Sequence, residues 1–143
     1  MRNIKKLVYM LVILPLLYAN TAHSMSQSDA QVEAESVVKA YHFALTQGDT
    51  VTIKSLFGGD LLIKRRRLLD NPTYPSHLIE VYGGSTIVIT RNISSNDSIT
   101  IDADITLKTG EIQQRRYLLK RNTDSASTYG YNIISDTSRE EDI

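Results

Sequence analysis

The side chains able to do chemistry in this sequence beyond residue 24 are two histidines, two alternating aspartates, a run of four basic residues and a set of tyrosines. His42 and His77 titrate near neutral pH and could move a proton if buried against a carboxylate. Asp102 and Asp104 are spaced like a metal-binding or acid–base pair. Lys64, Arg65, Arg66 and Arg67 offer positive charge to an anionic ligand or a partner surface, and Arg115, Arg116, Lys120 and Arg121 would reinforce it if the two clusters met in space. Tyr41, Tyr74, Tyr82, Tyr117, Tyr129 and Tyr131 combine an aromatic body with a polar tip, which suits a pocket for a flat or amphipathic molecule.

Several chemistries are excluded outright. The chain has no cysteine, which removes disulfides, thiolate metal sites, cysteine nucleophiles and a lipidated N-terminus. It has no His-x-x-x-His pair, no calcium-loop spacing, no Gly-x-Ser-x-Gly elbow and no glycine-rich phosphate loop. No cofactor, metal or catalytic residue is therefore assigned, and a binding or accessory role is favoured over an enzymatic one.

The N-terminal segment reads as an export signal. Residues Met1 to Ser24 run from a basic start (Arg2, Lys5, Lys6) through an apolar stretch, Leu7 to Ala19, to a small polar tail. Ala22 and Ser24 occupy the small-residue positions of a cleavage site, which places the cut after Ser24 and the protein in the periplasm or outside the cell. Pro15 interrupts the apolar stretch, which falls short of the ~20 residues that span a bilayer, so no stable membrane span is expected after cleavage. Three of the 16 basic residues and none of the 16 acidic ones lie in this segment, leaving the remainder at a net charge of −3. That balance does not suit a run of phosphates, so nucleic acid is not an expected partner.

The elements that must position these groups follow from periodicity. Residues 25–30 read as a flexible lead-in, after which Ala34, Val37, Val38, Tyr41, Ala44 and Leu45 form one apolar stripe of a long helix. Gly48 supplies a left-handed stop, and Asp49 or Thr50 caps a shorter helix carrying Val51, Ile53, Leu56 and Phe57. A third helix runs from Asp60 through the basic run to Leu69. From His77 onward apolar residues alternate with polar ones: Ile79 and Val81; Ile87, Ile89 and Ile93; Ile99 to Leu107. Gly83-Gly84, Asn96-Asp97, Thr109-Gly110 and Asn122 to Ser127 punctuate them as turns. Residues 136–143 read as a polar tail. Helices followed by a meander with one apolar face give a two-layer α+β domain over residues 31–135.

Phase then ranks the candidates. His42 lies about 100° round the helix from Tyr41, which puts it at the surface. His77 shares the parity of Ile79 and Val81 and could point inward at the sheet edge. Asp102 and Asp104 alternate with Ile101, Ala103 and Ile105, so both should face solvent.

The stretch Ala34-Glu35-Ser36-Val37-Val38-Lys39-Ala40-Tyr41-His42-Phe43-Ala44-Leu45-Thr46-Gln47-Gly48-Asp49, with the short helix ending Ser55-Leu56-Phe57, resembles the opening of nuclear transport factor 2-like (cystatin-like) domains. Tyr129-Gly130-Tyr131-Asn132-Ile133 is similar to the family's last strand. The resemblance implies a curved sheet folded around the long helix, with a pocket between them where the family's enzymes place an Asp, His or Tyr. It implies that Tyr41, Phe57, His77 and Tyr131 line a site for a small amphipathic molecule. The alternative is a protein-interaction or assembly domain, dimeric through the outer sheet face or held by an uncleaved anchor, for which the basic residues at 64–67 matter more. A lyase or isomerase would need a buried acid–base pair.

Overall fold

The computed structural model describes residues 26–124 and 127–142. The export signal expected at residues 1–24 lies outside them. Four helices, α1 (Gln27–Gln47), α2 (Thr50–Leu56), α3 (Gly59–Leu69) and α4 (Tyr74–Tyr82), precede four strands, β1 (Thr86–Ser94), β2 (Ser98–Thr106), β3 (Ile112–Arg121) and β4 (Tyr131–Ser138). The strands form an antiparallel sheet in the order β1-β2-β3-β4. A 3₁₀ turn, Arg139–Asp142, follows β4.

The long helix starts earlier than its periodicity suggests. Ser26 caps it by accepting from the Asp29 amide at 3.2 Å, so most of the expected lead-in is already helical. Its buried stripe is the one read from the sequence, from Ala34 and Val38 through Tyr41 to Leu45. Gly48 ends it at φ 64°, and Asp49 caps α2 by accepting from the Thr52 amide at 3.0 Å. The third helix opens after Gly58 rather than at an Asp60 cap.

The segment from Tyr74 to Tyr82 is helical, where alternation of His77, Ile79 and Val81 suggested a strand. Pro75 in its first turn pre-sets a helical φ. Tyr74, Leu78 and Tyr82 then fall at i, i+4, i+8 and turn one face inward, with Leu78 fully buried.

Two β-bulges decide which side chains reach the helices. In β1 the register shifts between Ile89 and Arg91, so Ile87 and Ile89 face the core whereas Ile93, expected inward, is exposed. Asn92 takes the inward position and pins the edge strand to α1, its amide donating to the Gln31 carbonyl at 3.1 Å and to Glu35 Oε1 at 2.9 Å. In β4 the shift lies opposite Leu118/Leu119: Leu119 pairs with Ile133 and Tyr117 with Asp136, leaving Ile134 as the extra residue. The polar tail expected from residue 136 is thus strand, and Asp136 faces inward beside Tyr117.

The core lies between α1, α2 and the inner sheet face: Val37, Val38, Ile53, Leu56, Ile101, Ile105, Tyr117, Leu119 and Ile133 are nearly inaccessible. After α2 the chain closes on the free side of β4. Phe57 bridges Ile133, the Gly58 amide donates to the Ile133 carbonyl at 2.9 Å, and Asn132 Nδ2 donates to the Phe57 carbonyl at 3.0 Å.

Gly48 tests how tightly the helices are joined. A Cβ there would sit 2.5 Å from the Pro75 carbonyl oxygen, in a left-handed conformation, whereas Gly110 at φ 90° has open space around it. Gly48→Ala should lower unfolding free energy by about 2–3 kcal/mol and Gly110→Ala by about 1 kcal/mol, read from urea denaturation midpoints.

Candidate functional site

The inner face of the sheet carries one acidic side chain into the helix–sheet interface. Asp136 is nearly buried, its side chain 10% exposed, and a carboxylate so placed is costly unless paired. Arg115, two residues before Tyr117 on β3, supplies the pair: its Nε donates to Asp136 Oδ1 at 2.9 Å, and its Nη2 reaches the same oxygen. Tyr41, from α1, donates its hydroxyl to Asp136 Oδ2 at 3.0 Å. Both carboxylate oxygens are thus engaged, from two different layers.

Aromatic rings surround this triad. Tyr41 packs against Phe57 at 5.2 Å between ring centroids and edge-on to Tyr117 at 5.9 Å. Burial, reinforced by the Asp136 charge, holds the hydroxyls of Tyr41 and Tyr117 well above the ordinary tyrosine range. Burial also raises Tyr74 and Tyr82, with Arg65 and Arg115 respectively acting in the opposite direction. The Arg115 guanidinium is opposed by burial, and the neighbouring Asp136 carboxylate more than offsets that, so it stays charged.

Beside the triad lies a cavity of about 190 Å³. Leu45, Ile53, Phe57, Leu68 and Leu69 form its apolar wall, and Tyr41, Tyr74, Tyr82, Arg65, Arg115 and Asp136 its polar side. The α3 helix closes it from outside, tied at its end by a Lys54–Asp70 ion pair. A larger hollow of about 640 Å³ opens between the start of α1 and the β1–β2 hairpin. It is the more open of the two and lies away from the triad, so the smaller cavity is the candidate site.

The sequence candidates divide accordingly. Tyr41 and Phe57 line the cavity together. His77, expected inward at a sheet edge, is exposed on α4 and stacks on Tyr74 with centroids 6.1 Å apart. Tyr131 is buried at the other end of the sheet, bordering the larger hollow, with the Arg121 guanidinium 5.4 Å from its ring centre. His42, expected at the surface, is buried because the chain leaving α4 covers it, and its Nε2 shares a hydrogen bond of 2.9 Å with Ser85 Oγ. Asp102 is also buried rather than solvated, clamped by Arg116 at 2.8 and 3.1 Å, and that hydrogen bonding holds its carboxyl below the ordinary range. Asp104 pairs with Arg139 of the C-terminal turn. Lys64, Arg65, Arg66 and Arg67 are all exposed on α3.

Of the later basic residues, only Arg115 converges with that run, through Arg65 at the cavity. Arg116 serves Asp102, and Lys120 lies near Asp97 at 3.8 Å. Asp136 is the site residue that sequence reasoning missed, because it fell in the segment read as a polar tail; the bulge at Ile134 turns it inward. No group of His, Cys, Asp or Glu side chains among the described residues is arranged to hold a metal ion.

A long helix and three shorter ones packed on a four-stranded antiparallel sheet, with a polar cluster between the layers, constitute the nuclear transport factor 2-like fold. Two solved structures share it. One is an NTF-2-like protein of unknown function from Silicibacter pomeroyi, with a TM-score of 0.58 and 12% identity, covering 80% of this chain and 98% of that one. The other is an IcmL-like type IV secretion system protein from Legionella pneumophila, with a TM-score of 0.50 and 15% identity, covering 79% and 91%. No protein-family model and no curated protein matches the chain.

The triad makes two predictions. Asp136→Asn leaves Arg115 mostly buried without its counter-charge and should destabilise the fold by about 2–4 kcal/mol, whereas Tyr41→Phe, which loses one charge-assisted hydrogen bond, should cost about 1–2 kcal/mol in the same urea titration. Burial lowers the His42 pKa below 6.5. The unfolded chain therefore binds the proton more readily, and stability conferred by neutral His42 is complete above pH 6.5 and declines as pH falls toward the folded-state value. Melting temperatures between pH 7.5 and 5.5 should fall in the wild type and fall less in His42→Gln.

Proposed function

We propose that this chain is an exported, non-catalytic binding protein that holds a small amphipathic molecule between α1 and the sheet. The observation that carries this reading is the 190 Å³ cavity, in which five apolar side chains face a cluster of tyrosines, arginines and one carboxylate. An apolar wall facing convergent polar groups is what ligand sites present. The cavity's volume leaves room for a single ring or a short chain with a polar end.

A binding role is supported over catalysis because the polar groups are committed to one another. Asp136 is held by Arg115 and Tyr41, and His42 is engaged with Ser85. The export half of the proposal rests on the three-part layout of residues 1–24. Among the described residues, no helix is long and apolar enough to cross a membrane.

A second reading, a domain that meets a protein partner, is favoured by one feature. None of the four exposed basic residues at 64–67 is in an ion pair among the described residues. The Legionella protein of similar fold is named for a secretion assembly.

Toluene separates the two. At ten times its Kd it should raise the wild-type melting temperature by about 3–6 °C. Leu68→Trp, which fills the cavity from a position already 36% exposed, should remove that rise while retaining the circular dichroism of the fold. No rise in the wild type, or an equal rise in both proteins, contradicts the pocket reading.

A further inference from the structure

We propose that the cavity selects an anion, and that its ligand class is a small aromatic monocarboxylate whose ring lies against the apolar wall and whose carboxylate meets Arg65 at the mouth. This rests on the pocket reading above and adds the charge of the ligand to it.

The first support is charge balance. The ionised groups lining the cavity are Arg65, Arg115 and Asp136, a net charge of +1. Arg115 is neutralised locally, since its Nε and Nη2 both go to Asp136 Oδ1, and the other carboxylate oxygen accepts from Tyr41. Among the described residues Arg65 is in no ion pair, and it borders both this cavity and the adjoining hollow, which Asp60 and Asp136 also line from the α3 side. A monoanion brings the site to neutrality, whereas a cation would add to the excess.

Position along α3 separates Arg65 from its neighbours. Arg66 and Arg67 lie in the last turn, where positive charge complements the helix dipole, so their presence has a structural cause. Arg65 stands one residue before that turn and, exposed on its outer side, lines the cavity together with Leu68, Tyr74 and Tyr82. A guanidinium there can form two parallel hydrogen bonds to a carboxylate. Tyr82 makes only a long contact with Gln113, 3.5 Å between oxygens, so its hydroxyl can turn toward an anion.

The ring follows from the wall and the volume. Tyr41, Phe57, Tyr74 and Tyr82 all line the cavity, and aromatic rings favour an aromatic guest. The volume leaves room for one ring with a short extension.

The test uses phenylacetate and its neutral near-isostere phenylacetamide, titrated calorimetrically into the wild type, Arg65→Gln and Arg66→Gln. Phenylacetate should bind the wild type about tenfold more tightly than the amide. Arg65→Gln should abolish that preference by weakening phenylacetate alone, and Arg66→Gln should leave it in place. Raising salt from 50 to 500 mM should weaken phenylacetate and spare the amide. Because Arg65 is exposed, its substitution leaves the fold intact, and the amide's unchanged affinity verifies this. Equal affinities in the wild type overturn the anion proposal while leaving the pocket reading standing. An equal loss in Arg65→Gln and Arg66→Gln overturns it as well, by assigning the effect to the diffuse field of α3. Binding of neither compound overturns the proposal too, and the toluene response then decides separately whether the pocket reading survives.

Discussion

A carboxylate buried on the inner face of the sheet is the constraint from which the rest of the site follows. Removing an ionised Asp136 from water costs several kcal/mol, and that cost is met only if both oxygens find donors in place. Arg115 comes from the neighbouring strand and needs no long-range organisation. Tyr41 comes from a helix 95 residues away in sequence, and its hydrogen bond sets how α1 is rotated over the sheet. Once Tyr41 is fixed, Phe57 and Tyr117 pack against it, and the wall of the cavity is defined.

The two ends of the interface are closed by different means. Near the β1–β2 hairpin, α1 is tied to the edge strand by Asn92 and Gln31. Along the β4 edge, α2 and α3 are held by the Phe57–Ile133 bridge and the Lys54–Asp70 pair. Between them the triad and its rings line the cavity, beside the aliphatic core. The outer sheet face is organised separately, by Asp102 with Arg116 and Asp104 with Arg139.

Much of this frame was legible in the sequence, and where it was not the causes are specific. The stripe of α1, the left-handed Gly48 and the cap at Asp49 depend on local rules, and each is present as read. Alternation at His77, Ile79 and Val81 was misleading because three residues cannot distinguish a period of 2 from one of 3.6, whereas Tyr74, Leu78 and Tyr82 with Pro75 carry the helical signal. Parity failed at Ile93 because a bulge adds a residue and every side chain beyond it changes face, and a second bulge, at Ile134, turns Asp136 inward in a segment read as a tail. His42 and Asp102 were assigned to solvent because phase gives direction but not what covers that direction. The loop at Ser85 and the guanidinium of Arg116 do the covering. Arg115 was readable as one member of a basic cluster, but its partner was hidden in what looked like a tail.

The central claim is that the space beside the Tyr41–Asp136–Arg115 triad receives a ligand, and mapping of amide chemical shifts during a phenylacetate titration tests it most directly. The account predicts saturable shifts concentrated at Tyr41, Phe57, Arg65, Leu69, Tyr74, Tyr82 and Asp136. Shifts centred instead on the β1–β2 hairpin around Ser94 to Ile99, or spread evenly over the exposed basic residues of α3, would contradict it.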